Sequence, residues 1–88
     1  MTTRDERIAA VIFGLLDKRA PGATICPSEA ARALGHDEFA WRASMPEVRR
    51  VAAALARDGS LRVTAHGEDV DALQARGPIR LGRPLSRD

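Results

Sequence analysis

The chain is poor in aromatic residues and in cysteine, and both shortages bear on how it folds. Of its 88 residues only Phe13, Phe39 and Trp41 are aromatic, and tyrosine is absent. A core rich in alanine and poor in aromatic rings lets helices pack closely, which favours a mostly helical domain. Cys26 is the single cysteine, so no internal disulfide supports the fold and no oxidising compartment is required.

Long uncharged apolar runs are also missing. The first residues, MTTRDERIAA, carry charges directly before the apolar positions, which is typical of neither a signal peptide nor a membrane-spanning segment. We therefore expect a soluble cytoplasmic protein with no membrane partner. The length predicts one domain over residues 1–83 and a flexible tail over residues 84–88. A chain this short buries only about 60% of its unfolded surface, so its core is thin.

The charge is small in total but unevenly placed. The formal net charge is +2, with five basic and six acidic residues over 1–40 and nine basic and six acidic residues over 41–88. Thirteen of the basic residues are arginine and one is Lys18. Arginine forms bidentate contacts with phosphate, so a nucleic-acid partner is one explanation of this composition. A GC-rich genome, which also enriches arginine, is the other.

The first segment predicts a long amphipathic helix. Thr3 and Glu6 have the spacing of a capping box, and apolar residues then recur at helical intervals from Ile8 to Leu16. Pro21 and Gly22 end the pattern. We expect a helix from about Thr3 to Ala20.

A short helix follows a β-prone stretch at residues 23–25. In the sequence ICPSEAARALG, Pro27 fits the first helical position, which makes Cys26 the N-cap and places Glu29 at the third position. Gly35 is a natural end for this helix. The segment is too short to be stable without neighbours.

A third helix precedes a region of alternating residues. Ser44 and Glu47 repeat the capping-box spacing with Pro46 between them, so we place the start near Ser44, and whether residues 38–43 add a turn stays open. Asp58-Gly59 ends this helix. A strand around residues 61–64, a turn at residues 66–69, a return strand from Val70, a loop over 72–77 and a strand over 78–81 follow.

This order of elements predicts an α+β, mostly helical, winged helix-turn-helix: three helices and a small antiparallel wing sheet of two or three strands. Four segments also resemble a small bacterial family labelled domain of unknown function 3253. They are CPSEAARAL at residues 26–34, WRASMPEVRR at 41–50, ARDG at 56–59 and GPIRL at 77–81. The resemblance implies a winged-helix fold and no established activity.

Candidate sites for catalysis or metal binding are weak. Cys26, His36 and His66 lack the paired spacing of a zinc site, and the scattered glycines form no phosphate loop. A helix N-terminus lowers the pKa of a thiol, which leaves redox chemistry of Cys26 as a distant alternative to a simple helix start. We expect no enzyme, no cofactor and no metal.

The third helix offers the best candidate surface. At 100° per residue, Arg49, Arg50, Ala53 and Arg57 lie opposite the apolar stripe of residues 48–55. Arg42 joins them if the helix starts early, and Arg62 and Arg80 extend the surface from the strands. The alternative is a solvated helix face on which arginines pair with Glu47 or Asp58.

The leading hypothesis is therefore weak, non-catalytic and transcription-associated binding of double-stranded DNA through the third helix. The wing sequence HGEDVD counts against it, since Glu68, Asp69 and Asp71 would repel phosphate, and the chain has no asparagine to read bases. A protein-interaction or homodimerisation domain is the alternative. We also expect Trp41 to pack under the hairpin, and Arg80 to point outward or to pair with a carboxylate such as Glu29.

Overall fold

The computed structural model describes residues 3–35 and 37–84 and shows three helices and a four-stranded antiparallel sheet. The α+β class and the winged-helix-like arrangement are as expected from the sequence. Apart from Pro84, the tail lies outside the described residues. The elements are α1 (Arg4–Asp17), β1 (Thr24–Ile25), α2 (Pro27–Leu34), α3 (Glu38–Arg57), β2 (Arg62–Ala65), β3 (Glu68–Asp69) and β4 (Arg80–Gly82).

α1 begins as expected and ends early. The Thr3 hydroxyl accepts a hydrogen bond from the Glu6 N–H at 3.1 Å, which confirms the predicted cap. The helix ends at Asp17 rather than at Ala20, because the next two amides bond three residues back and so tighten the last turn. Its buried residues, Ile8, Ile12 and Leu16, lie four apart along one face.

α2 has the predicted limits. Cys26 is the N-cap with an extended backbone, and Pro27 is the first helical residue. The Glu29 carboxylate accepts a hydrogen bond from the Cys26 N–H at 2.8 Å, and Gly35 is the C-cap. A single cysteine in this place therefore starts a helix.

α3 is longer than expected, and the predicted start near Ser44 is wrong. Asp37 is the actual cap, since its carboxylate accepts from the Ala40 N–H at 2.8 Å. The hydroxyl of Ser44 instead donates to the Ala40 carbonyl at 3.1 Å, within the helix. Pro46 lies inside the helix, where its ring removes one backbone donor but keeps a helical φ. Ser44 and Val48, on either side of Pro46, are buried and keep this part of the helix in the core.

The sheet has four strands in the order β1-β4-β2-β3, one more than expected. The turn of the hairpin is shorter than the predicted residues 66–69: only His66 and Gly67 form it, both with positive φ (53° and 82°). This two-residue turn lets Glu68–Asp69 pair directly with β2. The chain then loops back over residues 70–79 and inserts β4 between β1 and β2.

One core joins the helices to the sheet. Fully buried side chains come from α1 (Ile8, Ile12), from α3 (Val48) and from β4 (Leu81). α3 packs against both other helices and against β2, while α1 contacts β1. Among the described residues, no helix combines the length and the apolar character that crossing a bilayer requires.

Candidate nucleic-acid interface

α3 follows α2 along the chain, as the second helix of a helix-turn-helix follows the first. One face of α3 is open to solvent. We call this the outward face. It lies between the N-terminus of α1 on one side, where Asp5 bonds Arg50, and the loop over residues 71–77 on the other, where carbonyls bond Arg49. Its members are exposed and follow helical spacing: Phe39, Arg42, Ala43, Pro46, Arg50, Ala54 and Arg57.

Arg49 lies beside the outward face, and its guanidinium is occupied by backbone. It donates to the carbonyls of Ala72 at 3.3 Å, Ala75 at 3.2 Å and Gly77 at 2.9 Å. Ala53, one turn further along α3, is buried rather than exposed as predicted. The 71–77 loop thus covers the flank of α3 on which Arg49 and Ala53 lie.

Arg50 is exposed and held by an ion pair from α1. Its two terminal nitrogens donate to the two oxygens of Asp5 at 2.9 and 2.7 Å, and these hydrogen bonds lower the pKa of the Asp5 carboxyl. Next to it, Arg4 donates to Glu47 at 2.6 Å and lowers the pKa of that carboxyl by the same means. Two ion pairs of opposite polarity therefore join the N-terminus of α1 to the middle of α3.

The other two arginines of the outward face differ in their surroundings. Arg42 donates to Glu38 at 3.1 Å, one turn earlier, and its guanidinium carbon lies 5.3 Å from the centroid of the Trp41 ring. Arg57 is exposed in the last turn and has no hydrogen-bonded or ion-paired partner within residues 3–35 and 37–84. Both are accessible to a phosphate, and Arg42 would first have to leave a carboxylate.

The strand arginines hold the sheet. Arg62 donates to Asp69 across the hairpin at 2.7 Å. Arg80 bonds the side-chain and backbone oxygens of Thr24, at 2.9 and 3.0 Å, which fixes β4 to β1. The predicted carboxylate partner, Glu29, bonds Arg19 instead.

Carboxylates are interspersed with these arginines. Of the six arginines predicted to bind nucleic acid, three are paired with acidic side chains: Arg42, Arg50 and Arg62. At the hairpin, Glu68, Asp69 and the following Asp71 are all exposed. The structure therefore brings together Arg42, Arg50 and Arg57 on one face, and assigns structural contacts to Arg49, Arg62 and Arg80.

Cys26 is half-buried at the start of α2, and its Sγ lies 3.2 Å from the Ser28 hydroxyl. The hydrogen bond from the Cys26 N–H is the main cause that lowers the pKa of Glu29. Within the described residues, no three histidine, cysteine or acidic side chains cluster as a metal site would require. His36 lies outside those residues.

Two aromatic residues near the start of α3 have roles that the sequence did not reveal. Phe39 is 85% exposed in the first turn. The ring of Trp41 lies 4.6 Å from the guanidinium carbon of Arg32, on α2, which places this ring against α2 as well as the core. The position of Trp41 under the hairpin was predicted only from its being the largest apolar side chain available. The sequence signal for the earlier start of α3 was Asp37, an acidic residue three positions before Ala40.

Comparison with known proteins adds a family and no activity. A search of curated proteins finds no match to this chain. The model of one family matches residues 5–84. This range contains all four strands and all three helices, apart from Arg4, the first residue of α1. The chain therefore belongs to the family described as protein of unknown function (DUF3253).

Proposed function

We propose that the chain is a non-catalytic, transcription-associated winged-helix module of the cytoplasm that binds double-stranded DNA weakly, through the outward face of α3. The observation that supports this most is the alignment of Arg42, Arg50 and Arg57 on one exposed face of α3. Alanine and proline between them leave room for a close approach to the sugar-phosphate backbone. Arg49, Arg62 and Arg80 contribute indirectly, because they hold the surrounding loop and strands.

Weak binding follows from the carboxylates around the outward face. Asp5 and Glu38 already occupy Arg50 and Arg42, so a phosphate must compete with them. The exposed acidic residues of the hairpin keep β3 away from the duplex by charge repulsion. Contacts limited to three arginines give a shallow salt dependence, with a slope of about −2.7 in a plot of log K against log salt.

The test compares two charge-matched variants in binding to a fluorescent duplex at low and moderate salt. Arg42→Gln/Arg50→Gln/Arg57→Gln removes the arginines of the outward face. Arg7→Gln/Lys18→Gln/Arg76→Gln removes as many exposed charges elsewhere and leaves the outward face intact. We expect binding to disappear in the first variant and to persist in the second. Equal losses in both, or no binding of the unmodified chain at low salt, would reject the proposal.

A protein-interaction or homodimerisation domain is the second candidate, and one observation favours it. Phe39 and Leu73 are large apolar side chains that are 85% and 56% exposed. Burial of such side chains stabilises protein interfaces. Light scattering at increasing concentration addresses the homodimer: a mass that stays that of a monomer removes it, whereas a dimer that Phe39→Ala dissociates supports it.

A further inference from the structure

Phe39 has a solvent-exposed aromatic side chain on a backbone that is ordered by hydrogen bonds. Its side chain is 85% exposed. The turn that carries it is fixed at both ends, because Asp37 caps the Ala40 N–H at 2.8 Å and the Trp41 N–H bonds the Asp37 carbonyl at 3.1 Å. Exposure of this ring is thus a property of an ordered helix start and not of a loose loop.

The approach of α3 to α2 fixes the direction of this helix start. A Cβ on Gly35 would lie 2.9 Å from both the Ala40 Cβ and the Trp41 backbone nitrogen. The end of α2 therefore contacts the first turn of α3 without room for a further atom. Phe39 lies on the opposite side of this turn, toward solvent.

The neighbours of Phe39 on the outward face suit a groove of DNA. Ala43 and Pro46 extend the apolar surface by about two turns, and neither side chain carries a polar group that would have to lose its water. Arg42 lies about 4.5 Å further along the helix axis and Arg50 about 16 Å. The apolar surface at the start of α3, together with Arg42 and Arg50, matches a base edge that is bordered by phosphates. An apolar protein partner would instead have to bury both guanidinium groups.

We propose that Phe39 contacts the 5-methyl group of thymine in the major groove and so gives the chain a preference for thymine-containing sites. In helix-turn-helix proteins the N-terminal residues of the second helix reach the base edges, and phenylalanine is one of the side chains that pack on this methyl group. The inference rests on the proposed DNA binding. It adds a base preference, which contacts between arginines and phosphates alone would not give.

Uracil tests this contact directly, because it pairs as thymine does and lacks only the methyl group. We would measure the affinity at low salt for a fluorescent alternating dA/dT duplex and for the same duplex with uracil in place of thymine. One buried methyl predicts about fourfold tighter binding of the thymine duplex. Phe39→Ala should remove this ratio and leave the affinity for the uracil duplex unchanged. Leu73→Ala, which removes the other exposed large apolar side chain, should preserve the ratio.

The outcomes separate this inference from the proposed function. Equal affinity of the unmodified chain for both duplexes overturns the role of Phe39 while leaving DNA binding in place. No binding of either duplex overturns both. A dimer in light scattering that Phe39→Ala converts to a monomer assigns the side chain to a second copy, and also overturns the thymine contact. Because Phe39 is exposed, the variant should keep the fold, which its thermal melting checks.

Discussion

Arg49 shows how a surface charge becomes part of the fold. A helical projection places it opposite the apolar stripe, and α3 alone would leave it in solvent. The 71–77 loop returns over this flank and offers three carbonyls to one guanidinium. The planar guanidinium has five N–H donors and can bond several carbonyls at once, which a lysine ammonium does less well. The sequence alone could not show that this loop lies against α3. The prediction therefore left Arg49 exposed, without the loop carbonyls that bind it.

Replacing Arg49 should therefore weaken the fold. Arg49→Ala leaves the carbonyls of Ala72, Ala75 and Gly77 without their donor, and we expect a loss of about 2 kcal/mol in the free energy of unfolding. Arg57→Ala is the matched control: Arg57 is exposed in the same helix, so its change should stay within about 0.5 kcal/mol. Urea denaturation measures both. Similar stabilities of the two variants would contradict the structural role of Arg49.

At the scale of elements, local signals located the helices and misplaced some of their ends. The cap of α1 and the whole of α2 follow from side chains within one turn, and both are confirmed. The start of α3 was missed because Ser44, Pro46 and Glu47 imitate a helix start. Arg4 of α1 donates hydrogen bonds to both Ser44 and Glu47, and the Ser44 hydroxyl donates to the Ala40 carbonyl one turn earlier. Contacts between distant segments thus decided between two plausible caps.

The contact between α2 and α3 allows a prediction in which two glycines behave in opposite ways. Gly35→Ala places a Cβ 2.9 Å from the backbone nitrogen of Trp41, so the two helices must move apart, and we expect a loss of about 1–3 kcal/mol. Gly14→Ala meets nothing within 4 Å inside α1 and should stabilise the chain by about 0.5–1 kcal/mol. Thermal or urea unfolding of both variants checks the signs. A neutral Gly35→Ala would mean that this approach is not tight.

Across the whole molecule, ion pairs connect segments that are far apart in sequence. Two ion pairs, Arg50–Asp5 and Arg4–Glu47, join α3 to α1. A third, Arg19–Glu29, joins the start of the loop after α1 to α2. The six arginines predicted from the sequence were located on the correct elements, but their pairing was not predictable. Pairing depends on which carboxylates the packing of the helices brings near, and the helical period says nothing about that.

These pairs predict how stability depends on pH. Hydrogen bonds from Arg50 and Arg4 lower the folded-state pKa of Asp5 and Glu47 below the ordinary values of 3.8 and 4.5. The pKa of Glu29 is lowered first by the hydrogen bond from the Cys26 backbone N–H and then by Arg19. The unfolded chain therefore takes up these protons first as the pH falls. Their contribution is complete at pH values above the ordinary ones and is lost as the pH falls through the lower folded-state values.

Urea midpoints at pH 7 and at about pH 3 measure this effect. We expect a lower midpoint in acid, and a smaller difference between the two pH values in Glu47→Gln than in the unmodified chain. Glu68→Gln is the control, since Glu68 is exposed on β3 and accepts no side-chain hydrogen bond among the described residues. An equal pH response of Glu47→Gln and Glu68→Gln would contradict the assignment.

The order of the sheet also governs when the chain can fold. β4 lies between β1 and β2, and it follows all the other helices and strands of residues 3–84 in sequence. Ile79 and Leu81, which are 1% and 0% exposed, complete the core from this strand. A nascent chain that has emerged only as far as the hairpin has β1 and β2 as two separated edges, with the hydrophobic layer beneath them open to water. Folding of this domain therefore waits until β4 has been synthesised, because only then can the core close.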